Sequence, residues 1–422
     1  MGVHLMRALL GLAPDAALTA TGIDGPYTRT VSRNLPLLAL LERRASLEEL
    51  DESTDGDVRP ILDVLHRRQH LAWFVVDDEG RAVMTLRTLI RDVPLPVPRP
   101  GARRGRLSRF ALLRRDERWL LESGRSAFVA VLSDRIAGDL IAGEEQSVDA
   151  TAIGLLSAAG LLEDADVDAG EMWEFHDRYF VARATTDIRP SAGTFRFAGR
   201  MSAEPMQLDE TEAMRIDLPL PVEGAPGPGL WDVSHRRRTI RAFSTDPVPL
   251  AALSELLWRT LRVTHVLPQH VEDPTSYDGA LKPVPSAGAI HALALWLVCH
   301  NVDGIEAGPW RYDAVRHALV RPASTDPYPA DAPLDGGGAA VSGFLVLRHA
   351  RLAWKYERIA VSLALKDCGV LLHALQLNAV ALGLALQPLG AGPTTQIARV
   401  LGRDPERDVP LGDFWLGLPD LP

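Results

Sequence analysis

The densest chemistry in this 422-residue sequence lies at 234–243, SHRRRTIRAF, where Arg236, Arg237, Arg238 and Arg241 bracket Thr239. Guanidinium groups crowded this closely repel one another unless solvent or an anion separates them, and arginine grips phosphate through paired donors. The cluster marks either a phosphate site or a basic surface helix. A second candidate is 282–291, KPVPSAGAIH, a proline-stiffened loop that runs into small residues. After Pro285, the small Ala287 and Gly288 let backbone groups approach a planar ligand, and the Ser286 hydroxyl can serve its polar edge. Val284 stands where a G-x-S-x-G elbow needs its first glycine, so a serine hydrolase is not expected. The sequence has no G-x-x-x-x-G-K-[ST], H-E-x-x-H or C-x-x-C motif, and the glycines of 224–229 do not satisfy G-x-G-x-x-G. Nucleotide hydrolysis and zinc catalysis lack their usual residues.

Positioning these residues needs more than one core, because 422 residues exceed one ordinary domain. Proline and glycine concentrate at 218–229 and, more weakly, at 93–105, dividing the chain into 1–95, 105–217 and 230–422. In the first block the pattern predicts helices at 36–43, 46–51 and 58–68, with a Ser46/Glu49 capping box. A hairpin of 70–76 and 81–86 follows around Gly80, giving a winged-helix outline. The second block predicts strands at 110–114, 119–122 and 127–132, then helices at 134–140 and 149–162, a second winged-helix-like unit. In the third, Leu250, Leu253, Leu256, Leu257 and Leu261 form a core stripe on a helix opened by Pro249. A strand is expected at 292–298, and 308–313 with 317–319 reads as a hairpin.

At this point the residues carry a family resemblance. Arg237, Arg238, Thr239 and Arg241 are similar to the R-R-S-x-R phosphate and ribityl motif of FMN nitroreductases, with threonine in place of serine. The 285–289 loop, the 308–313 hairpin and Lys355-Tyr356-Glu357-Arg358 resemble, in that order, the SagB-type (McbC-like) dehydrogenases. Trp173 to Asp177, WEFHD, resembles their tryptophan-led junction between peptide-binding region and flavin domain. The resemblance covers the last 193 residues well and the earlier ones loosely. It implies an α+β chain: a C-terminal nitroreductase-like FMN domain preceded by two winged-helix-like peptide-binding domains. It implies an FMN-dependent homodimer that oxidises thiazoline or oxazoline rings in a leader-bearing, ribosomally made peptide, with a cyclodehydratase as a possible partner. Pro285, Ser286, Ala287, Gly288, Leu389 and Gly390 would then touch the flavin, beside the Arg237–Arg241 cluster. Tyr356 would take a proton, directly or through water, with Lys355 lowering its pKa. Taken without the other motifs, Lys355-Tyr356 is an ordinary helix start, and 387–392 an ordinary helix-capping turn. The sequence ends GLPDLP, without the basic residues that complete the phosphate site in many nitroreductases, which leaves Arg399 or Arg403 for that role. The 331–340 segment, DAPLDGGGAA, reads as a loop or shortened lid.

Composition narrows the partners. A hydrophobic fraction of 46% and a charged fraction of 24% are globular values. Two cysteines supply neither a disulfide framework nor a zinc site, and with no signal peptide expected at the N-terminus, the cytoplasm is the expected compartment. A net charge of -10, with acidic residues Glu48 to Asp57 before the third helix, argues against nucleic acid. Arg99, Arg103, Arg104, Arg106 and Arg109 form a basic run, read as a solvated linker or a dock for an acidic peptide. The uncharged window 368–386 approaches membrane-spanning length, but flanking Lys366 and Asp367 and internal His373, Gln376 and Asn378 favour a core or dimer-interface helix. Three rivals remain: an NAD(P)H-dependent nitro- or quinone reductase, a flavin-free peptide-binding scaffold of the same fold, and a peptide desaturation or dehydro-residue reduction by the same flavin.

Overall fold

A computed structural model describes residues 6–19, 22–24, 29–31, 35–53, 57–89, 92–97, 106–143, 147–163, 173–184, 193–208, 210–222, 227–325, 337–390 and 392–420. Met1–Ala192 form one compact unit and Gly193–Pro422 a second.

The first unit is built on a six-stranded antiparallel sheet. Its strands are β1 (Arg7–Leu12), β2 (Leu71–Val76), β3 (Ala82–Thr88), β4 (Ala111–Arg115), β5 (Trp119–Ser123) and β6 (Phe128–Leu132), in the order β1-β2-β3-β6-β5-β4. Helices α1 (Leu35–Arg43), α2 (Leu47–Glu52) and α3 (Arg59–Arg67) precede β2. The capping box is formed: Glu49 N donates to Ser46 Oγ at 3.2 Å and Ser46 N to Glu49 Oε2 at 2.7 Å. Three helices and a hairpin therefore stand where expected, but the hairpin is not a free wing. β3 pairs with β6 of the expected second block, Arg87 opposite Val129. Leu62, Trp73, Leu86, Leu121 and Leu155 share one core. β2, LAWFVV, is buried at every position, as a strand covered on both faces must be. The expected blocks 1–95 and 105–217 are thus knitted by one sheet. Helices α4 (Asp134–Ala142) and α5 (Ala150–Ala158) follow, and α6 (Phe175–Ala184) is pinned to the same unit. Arg183 meets Glu122 at 3.2 Å and donates to the Ser123 and Ser126 carbonyls, both at 2.9 Å, while Tyr179 Oη donates to Glu122 at 2.9 Å. Arg99, Arg103 and Arg104 lie outside the described residues.

The second unit holds a seven-stranded antiparallel sheet of β7 (Glu212–Asp217), β8 (Leu293–Cys299), β9 (Gly308–Asp313), β10 (Ala318–Pro322), β11 (Val341–Arg348), β12 (Ala385–Pro388) and β13 (Asp408–Gly417), ordered β7-β10-β9-β8-β11-β13-β12. β7 pairs with β10, so the proline-rich 218–229 segment falls inside this unit, and contacts divide the chain earlier, after residue 192. Helices cover both faces, and β8 shows it by its alternation. Leu295, Leu297 and Cys299 pack into a core with α8 (Leu250–Leu261) and α10 (Ala360–Ala381). Trp296 and Val298 face α11 (Thr394–Val400) through Ile397. The helix expected over the uncharged window 368–386 is corrected to Ala360–Ala381, the central helix of this unit: Gly383, at φ 73°, turns the chain into β12. Among the described residues α10 is the one helix long and apolar enough to cross a bilayer. Its Leu371, Leu375 and Ala379 are core residues, whereas Leu365 and Val370 are exposed.

Candidate active site

The Lys355-Tyr356 pair sits in the short turn between α9 (His349–Ala353) and α10, where no helix dictates its direction. Arg351, only 3% exposed, fixes the turn against a distant loop. Its guanidinium donates to the Ile290 carbonyl at 2.9 Å, to Asp278 Oδ1 at 2.8 Å and to the Asp278 carbonyl at 2.9 Å. Beneath the turn, the Lys355 carbonyl accepts from Thr194 N at 2.9 Å and Phe195 N at 3.2 Å. A charge-assisted fork of this kind is rigid, so loop 277–291 and residues 355–356 are held in register.

The consequence is a three-group convergence. Lys355 Nζ donates to Tyr277 Oη at 2.6 Å, and Tyr277 Oη donates to the Gly288 carbonyl at 2.8 Å. Lys355 Nζ also lies 5.3 Å from the centre of the Tyr356 ring. Gly288 adopts φ 61° and ψ 22°, and a methyl there would stand 2.9 Å from Lys355 Nζ, 3.0 Å from Tyr356 Oη and 3.1 Å from Tyr277 Oη. Ala289 and His291 share the left-handed conformation, at φ 56° and 50°. Non-glycine residues rarely adopt it unless their surroundings impose it. Tyr277 was not singled out in the sequence: it lies 78 residues from Lys355, and no local motif marks it.

The other expected residues divide into separate groups. Ser286 Oγ donates to Asp367 Oδ2 at 2.7 Å, and Ala287 N reaches the same carboxylate at 3.1–3.2 Å. Burial raises the Asp367 pKa, and these two hydrogen bonds oppose the rise. The Ser286 hydroxyl proton and the Ala287 N–H are thus committed to the central helix, while Pro285 and Gly288 are exposed. Leu389 N donates to the Asp413 carbonyl at 2.9 Å, Gly390 is exposed, and a side chain at Gly392 would run into the Asp413 carboxylate. Burial raises the Asp413 pKa as well. Asp367 and Asp413 were missed by sequence reasoning, although Asp367 stands at the edge of the long uncharged window.

Arg237, Arg238, Thr239 and Arg241 follow α7 (Leu230–Arg236) as irregular chain, and Ser244 N then joins the Leu418 carbonyl at 2.9 Å. Among the described residues no side-chain hydrogen bond or ion pair engages the guanidinium groups of Arg237, Arg238 or Arg241, nor joins them to the Lys355 group. Several other arginines of the unit find partners, as Arg351 with Asp278 at 2.8 Å. The idea that Arg403 completes a phosphate site is corrected: it is bound to Asp408, 2.6 Å away, and to Glu210. An FMN fits this inventory in part: unmatched guanidinium groups suit its phosphate, and a side-chain-free approach at Gly288 suits its ring. Most of 331–340 lies outside the described residues.

Residues 235–417 match the Nitroreductase family. A curated Methanocaldococcus jannaschii protein named as a nitroreductase is 33% identical over 92 residues, which is 22% of this chain and 40% of that protein. The match thus spans 40% of that relative's length. Among solved structures, a Ralstonia eutropha protein described as a nitroreductase is 22% identical, covering 53% of this chain and 100% of its own, with a TM-score of 0.40. A chain of the Escherichia coli microcin synthetase McbBCD complex with truncated pro-MccB17 bound is 18% identical, covering 54% of this chain and 86% of its own, with a TM-score of 0.36. What the family model supports is a nitroreductase-like C-terminal region, residues 235–417.

Proposed function

We propose that the protein is an FMN-dependent dehydrogenase that oxidises azoline rings of a ribosomally made peptide to azoles. One observation carries the reading: Lys355, Tyr356 and Tyr277 converge on the bare backbone of Gly288. When bound, FMN supplies a two-electron acceptor. The residues that would hold it are Arg237, Arg238, Thr239 and Arg241 at the phosphate, and Pro285 to Gly288 with Leu389 and Gly390 at the ring. Azoline aromatisation releases a proton from the carbon between imine and carbonyl and a hydride from the neighbouring ring carbon. In its phenolate form Tyr356 takes that proton, directly or through water, and becomes the phenol, and Lys355 favours the phenolate that this step needs by its charge. Lys355 is itself oriented by Tyr277 at 2.6 Å.

The first unit is the peptide holder in this reading, with the cyclodehydratase that makes the azoline as its upstream partner. A homodimer would cover apolar residues that the second unit leaves exposed: Leu220, Val222, Leu230, Trp231, Leu365 and Val370. The test is incubation of the purified protein with a thiazoline peptide, read by mass spectrometry. Loss of two hydrogens is expected, and a Tyr356→Phe variant is expected to keep its flavin and lose turnover. NAD(P)H oxidation with small quinones and no change in the peptide would establish the reductase reading instead. Colourless protein that binds peptide would establish a scaffold.

A further inference from the structure

A cavity of about 60 Å³ opens in the second unit, lined among others by Lys282, His291, Arg311, Asp313 and Arg348. Lys282 and His291 belong to the 277–291 loop, but neither Lys355, Tyr356, Tyr277, Gly288 nor the Arg237–Arg241 cluster lines it. One ordered water needs roughly 10–15 Å³, so the space admits something larger. The charges around it are unequally matched. Arg311 meets Glu210 at 3.2 Å, and Arg348 donates to the Met206 and Pro205 carbonyls, both at 2.8 Å, with Glu204 at 3.4 Å. Asp313 is consumed by Arg316 at 2.8 Å and by the backbone N–H groups of Val315 and Arg316, both at 3.0 Å. His291 Nε2 donates to the Ala280 carbonyl at 3.0 Å. Lys282 has no such partner: among the described residues no hydrogen bond is made by its amine and no carboxylate lies within 4 Å of it. It is enclosed by protein on nearly every side, though the cavity leaves part of its surface accessible.

An enclosed ammonium without a counter-charge, beside two further cations, is a site that lacks its anion. We propose that this cavity binds a small oxyanion, a carboxylate or a tetrahedral ion, through the Lys282 ammonium, with Arg311 and Arg348 adding positive potential. Burial first, and then the Arg351 cation from α9, depress the Lys282 pKa to about 8, against the opposing pull of Asp313 on β9. The other groups on the lining are Arg311 on β9, Arg348 on β11 and His291 before β8. The last is held neutral near pH 7, its pKa lowered to about 4 by burial and by Lys282. An arriving anion therefore draws a proton onto Lys282 above about pH 8, and its affinity falls about tenfold per pH unit beyond that point.

The test is isothermal titration calorimetry of the full chain with sulfate, at about pH 7 and pH 9 and constant ionic strength, in two buffers of different ionisation enthalpy. Saturable binding is expected, about tenfold weaker at the higher pH, with proton uptake visible there as a buffer-dependent heat. Lys282→Met is expected to abolish it, and Lys282→Arg to keep it while removing the pH dependence. An Arg237→Gln/Arg238→Gln/Arg241→Gln variant is expected to leave this component unchanged, which separates it from any anion held by the arginine cluster. Competition by acetate would identify carboxylates as ligands, and its failure would restrict the site to tetrahedral ions. Absence of saturable binding overturns the proposal, as does binding that ignores pH or survives Lys282→Met. Should Lys282→Met not fold, the wild-type pH profile and Lys282→Arg decide alone.

Discussion

Replacing Gly288 by alanine probes the proposed centre with a single methyl. Two costs are separable. The left-handed backbone at φ 61° and ψ 22° penalises a residue with a Cβ by roughly 1–2 kcal/mol. The methyl also arrives 2.9, 3.0 and 3.1 Å from Lys355 Nζ, Tyr356 Oη and Tyr277 Oη, about half an ångström inside comfortable contact. Those atoms are side-chain ends and can withdraw, so the fold survives, but the 2.6 Å Lys355–Tyr277 bond must be broken or re-aimed. Misplacement by about 1 Å costs about a hundredfold in rate, and half of that shift points to a loss of roughly tenfold. The assay pairs azoline-peptide turnover with urea denaturation of the same preparation. Expected is a stability loss of about 2 kcal/mol or less beside the tenfold drop in turnover. Wild-type turnover together with wild-type stability would refute the claim that three reactive groups crowd this backbone.

Tyr277→Phe removes both hydrogen bonds of the hydroxyl; a loss of about 1–3 kcal/mol is expected by denaturation, with turnover reduced and flavin fluorescence titration unchanged. Arg351→Met strands Asp278 and frees the loop at Ile290, so a loss of about 3–5 kcal/mol is expected, and restored turnover with full stability would count against its clamping role. Acid should loosen the first unit through His66, whose pKa burial lowers to about 4 from 6.5, with Asp63 opposing and Arg67 adding to the fall. The unfolded chain then binds the extra proton, so about 3 kcal/mol of stability present above pH 6.5 is lost as pH falls toward 4. Thermal melts of wild type and His66→Phe across that window should diverge in slope, and parallel curves would sink the assignment.

Much of the local structure was readable from periodicity, because a helix or strand is stated by neighbours in sequence. The Ser46/Glu49 box, the Gly80 turn, the Leu253–Leu261 stripe and the β9–β10 hairpin need only a few consecutive residues to specify them. The same holds for the types of the candidate residues: arginines at 236–241, small residues at 287–288 and a Lys-Tyr pair at 355–356 are visible as composition and spacing. Partnership was not readable. Tyr277 with Lys355, Ser286 with Asp367 and Arg403 with Glu210 are separated by 78, 81 and 193 residues, and no short window contains both members. Nor did the repeated winged-helix outline reveal that β3 and β6 would pair across it, since a strand carries the same unmatched donors and acceptors whichever neighbour satisfies them. The chain by itself settled which groups are available and which segments carry them. Only the packing of buried faces decided which of those groups meet, because long-range contacts are chosen by shape and burial summed over the whole core.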